Sequence, residues 1–172
     1  MRKPDDYIEI FLQPGDFYFG DASTRMRTLL GSCVALTMWH PGRLIGAMSH
    51  VMVPSRSDDR ITDLDGRYAD ESLLMFFREA ARVGTHPRDY QLKLFGGGNM
   101  FPGLSIREAL LVGLRNVECV RETLAVHGLK VHSEHTGGSG HRTVMFDVWS
   151  GDVWLKHQPI EHERTRVNGG MR

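Results

Sequence analysis

Two apolar runs joined by one tight turn constrain this chain more than any other feature. Val34 to Trp39 and Leu44 to Val53 read as a strand pair, with Pro41-Gly42 as the turn between them. Further strands are expected over Tyr7 to Leu12, ending at Pro14-Gly15, over Tyr90 to Phe95 and over Leu129 to Glu134. Arg142 to Trp149 and Val153 to Lys156 read as a hairpin about Ser150-Gly151-Asp152. Two segments carry a helical period instead. Tyr68 to Val83 places Leu73, Phe76, Phe77 and Ala80 on one face, sets Asp70 and Glu71 in its positive first turn, and stops at Gly84. A second helix opens at the capping box Ser105-Ile106-Arg107-Glu108 and ends at Gly128. Its stripe is Ile106, Leu110, Gly113, Val117, Val120 and Leu124, with Cys119 expected roughly opposite. Interleaved strands with two helices predict a mixed α/β domain.

The chain has 172 residues, which suits one domain with one core. That core is expected over residues 7–156, with 157–172 a polar, frayed tail. Ser55 to Arg67 is rich in aspartate and arginine. It reads either as a solvated connector or as a lid or docking loop. Twenty-one basic residues balance 21 acidic ones. That balance leaves no bulk attraction for nucleic acid or an anionic membrane. No segment is long and apolar enough to span a bilayer, and Met1 to Asp6 lacks the apolar stretch of a signal peptide. The expected compartment is the cytoplasm. Two cysteines, Cys33 and Cys119, make no disulfide framework.

The chemistry concentrates at Cys33. Gly31-Ser32 makes a small-residue corner before the sulfur, and His50 lies 17 positions on, in the neighbouring strand. Antiparallel neighbours can bring such positions together, and a thiol beside an imidazole is the pairing a cysteine nucleophile needs. A lone cysteine is also often just a small buried hydrophobe, so both readings stand on residue type alone. If Cys33 is the nucleophile, a nearby imidazolium stabilises its thiolate, and the backbone N–H groups around Ser32 and Cys33 can hold an oxyanion. Gly31 lets a carboxamide approach closely.

Five blocks then add a resemblance. They are Gly31-Ser32-Cys33-Val34-Ala35, Gly46-Ala47-Met48-Ser49-His50 closing on Pro54, Gly96-Gly97-Gly98-Asn99-Met100-Phe101, Arg115-Asn116-Val117-Glu118 and Thr136-Gly137-Gly138. In this order, over roughly residues 15–156, they resemble the CheD family of chemoreceptor glutamine deamidases. The resemblance implies a cysteine–histidine site, Cys33 and His50, that hydrolyses glutamine side-chain amides on chemoreceptors, with some relatives also cleaving glutamyl methyl esters. It implies a single-domain α/β sandwich of mixed, largely antiparallel strands, similar to the toxin-type cysteine deamidase fold. It also implies a threonine shortly before the cysteine. Thr28 is the candidate, either bonded to His50 or a plain strand-end hydroxyl. The implied partners are the cytoplasmic helices of methyl-accepting chemoreceptors and, as in some relatives, a CheC-type phosphatase. No cofactor or metal is implied.

Rival readings are weaker. A non-catalytic regulator that binds receptors or a CheC-type phosphatase has no need of an intact Cys33 and His50. A nucleotide-binding domain would use Gly96-Gly97-Gly98 as a phosphate cradle, but G-x-x-x-x-G-K-[ST] and G-x-G-x-x-G are both missing in the required frame. A metal site would draw on His132, His135 and His141, although alternating strand positions 132 and 135 point to opposite faces. A papain-like protease also pairs cysteine with histidine, but the residues around Cys33 do not match that family's local signature.

Overall fold

The computed structural model of the chain describes residues 3–56, 63–101 and 106–160, with the backbone alone for 106–111. Among these residues the strands are β1 (Ile8–Phe11), β2 (Phe17–Gly20), β3 (Thr24–Leu30), β4 (Val34–His40), β5 (Ile45–Val51), β6 (Gln91–Gly96), β7 (Val131–Thr136), β8 (His141–Asp147) and β9 (Asp152–Gln158). The helices are α1 (Ala69–Arg82) and α2 (Ile106–Val126). The strands form a four-stranded sheet, β1-β3-β8-β9, and a five-stranded sheet, β2-β5-β4-β6-β7. Only β1–β3 and β6–β7 pair in parallel. The α/β fold with two mixed, largely antiparallel sheets and two main helices is the one expected.

The side chains sort into two cores. Val34, Leu36 and Met38 of β4 point to one face, with Ala47 and Val51 of β5, and meet Leu73, Phe76 and Ala80 of α1 and Val117, Val120 and Leu124 of α2. Ala35 of β4 and Met48 of β5 point the other way, onto Met26 and Leu30 of β3 and Val144 and Phe146 of β8. The centre of the five-stranded sheet is thus buried on both faces, which is why β4 and β5 read as nearly unbroken apolar runs. The four-stranded sheet is covered on one face only, and β9 alternates between partly covered and exposed along its length. Both helices end as expected. Gly84 and Gly128 adopt positive φ, and the next N–H reaches back to Ala80 and Leu124.

Five details depart from the sequence reading. Strands β2 and β3 were not expected. Every inward position of β3 is buried, but two of the four, Thr24 and Thr28, are threonines, and arginines fill two of the outward ones. That mixture hides the alternation. Strand β9 runs two residues past Lys156, with His157 and Gln158 paired to Arg142 and His141, so the expected tail starts too early. Cys119 does not stand opposite the stripe. It packs against the helix-facing core and donates its S–H to the Pro54 carbonyl at 3.4 Å. Glu71 is not merely a dipole partner in the first turn of α1. It is buried, holds Arg56 through contacts of 2.9 and 3.0 Å, and accepts the Asp65 N–H at 2.7 Å. It therefore ties down both ends of the Ser55–Arg67 connector, whose middle lies outside the described residues. Finally, the β6–β7 register shifts between Leu92 and Lys93, beside His132, so simple strand parity does not govern His132 and His135. The capping box at Ser105 also lies outside the described residues. No helix among the described residues is long and apolar enough to cross a membrane.

Candidate active site

The chain changes sheets at Gly31-Ser32-Cys33. Strand β3 ends at Leu30 in the four-stranded sheet, and β4 begins at Val34 in the five-stranded one. So short a crossing must turn sharply, and its three carbonyls are all held. Gly31 O accepts from Gly98 N–H at 2.9 Å and Cys33 O from Gly97 N–H at 2.8 Å. Ser32 O accepts from the Asn116 side-chain amide of α2 at 3.3 Å. The Gly-rich loop after β6 is therefore the brace of the crossing, which settles its role as a close-packed turn. Gly31 leaves room for Met100, because a Cβ there would lie 2.9 Å from Met100 Cγ and that side chain would have to shift.

Cys33 faces the layer between the sheets and packs at the margin of that core, partly exposed. His50 faces the same layer from β5 and is 2% exposed. Its cross-strand partner is Ala35, two residues beyond Cys33 and on the same face. Cys33 directly precedes β4, one diagonal step along the ladder from His50, and no hydrogen bond joins its sulfur to the imidazole. The backbone of His50 is fixed by the turn that leads into β2, since its N–H donates to Asp16 O at 2.9 Å and its carbonyl accepts from Gly15 N–H at 2.8 Å.

Thr28 comes from the opposite sheet. It lies inside β3, fully buried, and is not a strand-end hydroxyl. Its Oγ1 is 2.8 Å from the Leu12 carbonyl and 2.8 Å from His50 Nδ1. A hydroxyl has one hydrogen, and a carbonyl can only accept. With that hydrogen on Leu12 O, Thr28 Oγ1 accepts from His50 Nδ1–H. The imidazole then carries its proton on Nδ1 and presents a bare Nε2. Nε2 is buried and has no hydrogen-bond partner among the described residues.

Burial sets the charge state of the pair. It pushes the His50 pKa below its ordinary 6.5, against smaller opposing effects from the Leu12 carbonyl and Asp16. It also pushes the Cys33 thiol up, partly opposed by a smaller effect of the residue's own backbone. Both shifts favour a neutral thiol beside a neutral imidazole at rest. The standing imidazolium–thiolate pair expected from sequence is the state that burial disfavours.

The structure therefore brings Thr28 and His50 into contact and places Cys33, with Gly31 and Ser32, on the adjoining edge of the same layer. Sequence reasoning missed Asn116 as part of this region. It is 1% exposed and bonds both the Ser32 and Met52 carbonyls, the latter at 2.8 Å. A buried asparagine beside an apolar stripe was the available signal, because such a side chain must find partners. Of the histidines weighed as metal ligands, His141 Nε2 meets Gln158 Oε1 at 2.9 Å, and the other two serve separate donors. His132 Nδ1 takes the Leu92 N–H and His135 Nδ1 takes Arg142 Nε. Among the described residues no three His, Cys, Asp or Glu side chains converge as a metal site.

Comparison with known proteins places the chain in a family. The family model described as CheD chemotactic sensory transduction matches residues 52–157. A probable chemoreceptor glutamine deamidase CheD from Pseudomonas syringae pv. tomato is 50% identical over 162 residues, covering 94% of this chain and 96% of the relative. A probable chemoreceptor glutamine deamidase CheD 3 from Dechloromonas aromatica is 47% identical over 152 residues, 88% of this chain and 89% of the relative. A probable CheD 1 from Leptospira interrogans is 38% identical over 163 residues, 91% of this chain and 96% of the relative. The chain belongs to the CheD family.

Proposed function

We propose that this protein hydrolyses the side-chain amide of glutamines on methyl-accepting chemoreceptors, giving glutamate and ammonia, with Cys33 as nucleophile. As Cys33 Sγ attacks the carboxamide carbon, its proton passes to His50 Nε2. The oxygen of the tetrahedral intermediate is held by the backbone N–H groups of Ser32 and Cys33, beside the side-chain-free Gly31. Collapse breaks the C–N bond, and the nitrogen leaves as ammonia with the proton from His50. Water then attacks the Cys33 thioester, giving its proton to Nε2. Breaking the C–S bond returns that proton to the sulfur, and glutamate is the product. A glutamyl methyl ester would follow the same course, with methanol as the leaving group.

One observation carries this reading: Thr28 Oγ1 stands 2.8 Å from both the Leu12 carbonyl and His50 Nδ1, an arrangement that favours a proton on Nδ1 and leaves Nε2 as an acceptor in the layer that Cys33 faces. The names of the relatives supply the substrate class. A neutral resting pair also suits the reaction, because the imidazole is then ready to take a proton without first losing one. The protein acts in the cytoplasm, at the receptor's cytoplasmic helices, where a reducing pool keeps the free Cys33 usable. A purely regulatory protein that only docks on receptors or on a CheC-type phosphatase would leave the oriented His50 without a purpose.

The test is mass spectrometry of peptides from a purified receptor fragment after incubation with the protein. Wild type converts specific glutamines to glutamate, and Cys33→Ala converts none. Normal turnover by Cys33→Ala would end the proposal.

A further inference from the structure

Asn116 sits on α2, on the far side of the five-stranded sheet from the layer that Cys33 and His50 face. Both of its bonds go to carbonyl oxygens, Ser32 O at 3.3 Å and Met52 O at 2.8 Å. Carbonyls only accept, so the carboxamide has one workable orientation, with both hydrogens of its NH2 used. The two residues it grips flank the chemistry. Ser32 directly precedes Cys33, and Met52 lies two residues after His50.

The consequence follows from peptide geometry. A trans peptide is planar, and its C=O and N–H point in opposite directions. The Ser32 carbonyl and the Cys33 N–H belong to one such plane. With the carbonyl drawn towards α2, the Cys33 N–H is turned the other way, into the layer that holds its own sulfur. Among the described residues that N–H donates to no other protein group, in backbone or side chain. The preceding plane is held likewise, because Gly31 O is taken by Gly98 N–H.

Resting on the deamidase reading, we infer that Asn116 is a positioning residue for the oxyanion: by gripping the Ser32 carbonyl it aims the Cys33 N–H at the oxygen of the reacting carboxamide. The Met52 bond fixes Asn116 relative to the strand that carries His50, so the donor and the base share one anchor. Without Asn116 the Ser32–Cys33 plane is free to rotate, and the donor no longer waits in place when charge develops on oxygen.

Two variants and two rates test this. Asn116→Ala removes both donors. Asn116→Asp keeps the size and shape but turns acceptors towards two carbonyls. Deamidation of a receptor fragment is compared with alkylation of Cys33 by iodoacetamide, read at the Cys33 peptide by mass spectrometry. Alkylation needs an exposed thiolate but no oxyanion donor. Folding of each variant is checked by near-ultraviolet circular dichroism. The expected result is a fall in kcat of about 10²–10³-fold in both variants, with KM and the alkylation rate within about threefold of wild type. An Asn116→Asp variant that turns over normally would overturn the inference, as would a parallel fall in kcat and alkylation, which would mean that Asn116 acts on the sulfur or on the fold. Absence of turnover in wild type would instead remove the deamidase reading and this inference with it.

Discussion

The hairpin β4–β5 has two faces, and they do different work. Towards the helices it offers Val34, Leu36, Met38, Ala47 and Val51, all apolar and all buried, with the small side chain of Ser49 as the one polar member of that face. Towards the four-stranded sheet it offers Ala35 and Met48, but also His50, and Cys33 enters beside them. The backbone and the hydrogen-bond ladder are the same for both faces, so the difference lies in the side chains and in what opposes them. The helix-facing layer is held by volume and apolar area, which depend little on the identity of any one residue so long as size is kept. The inter-sheet layer holds an imidazole that must be satisfied, and it is satisfied across the sheets by Thr28 and Leu12. Such a network specifies geometry in a way packing does not, and it fails if one member is lost. The proposed site lies where two sheets meet, because only there can a residue of one sheet orient a residue of the other.

Substitutions on the two faces should therefore separate activity from stability. The largest effect is expected at the reacting groups: Cys33→Ala and His50→Ala lower turnover of a receptor glutamine beyond about 10³-fold while the protein stays folded, read by ammonia release and circular dichroism. Thr28→Val, which keeps the shape but removes the acceptor for His50 Nδ1–H, lowers kcat about tenfold, whereas Thr28→Ser stays near wild type. Equal rates for the two Thr28 variants would show that the cross-sheet bond is idle. The pH dependence is subtler. Because burial lowers the His50 pKa, the base is neutral and active down to more acidic pH than a free histidine, and the acid limb of kcat/KM has its midpoint below pH 6.5. A midpoint above that value would mean a standing charged pair. On the helix-facing side, Phe76→Ala costs about 3–5 kcal/mol in denaturant unfolding yet leaves turnover per folded molecule unchanged. A fall in that turnover would dissolve the distinction between the two faces.

Much of this contrast was legible in the sequence. The β4–β5 pair about Pro41-Gly42 was readable because both runs are largely apolar on both faces, and the helical stripes were readable because apolar residues recur on one face at helical spacing. The hairpin after Trp149 was marked by Ser150-Gly151. Cys33 and His50 stood out by chemical type. Strand β3 did not stand out, because its inward threonines look polar until one knows what they bond. The bond from Thr28 to His50 joins two strands of different sheets, and no local pattern encodes which strand faces which. The same holds for Asn116, whose partners lie 64 and 84 residues away in sequence. Local periodicity writes the elements of this chain, whereas the site is written by their assembly.

Observation of the protons on His50 itself bears most directly on the proposed site. Nitrogen-15 chemical shifts of its ring in the free protein at pH 7 distinguish the two neutral tautomers from each other and from imidazolium. A proton on Nδ1 with a bare Nε2 is the predicted result, and it should persist in Cys33→Ala and be lost in Thr28→Val. A proton on Nε2, or a ring charged at neutral pH, would contradict the account.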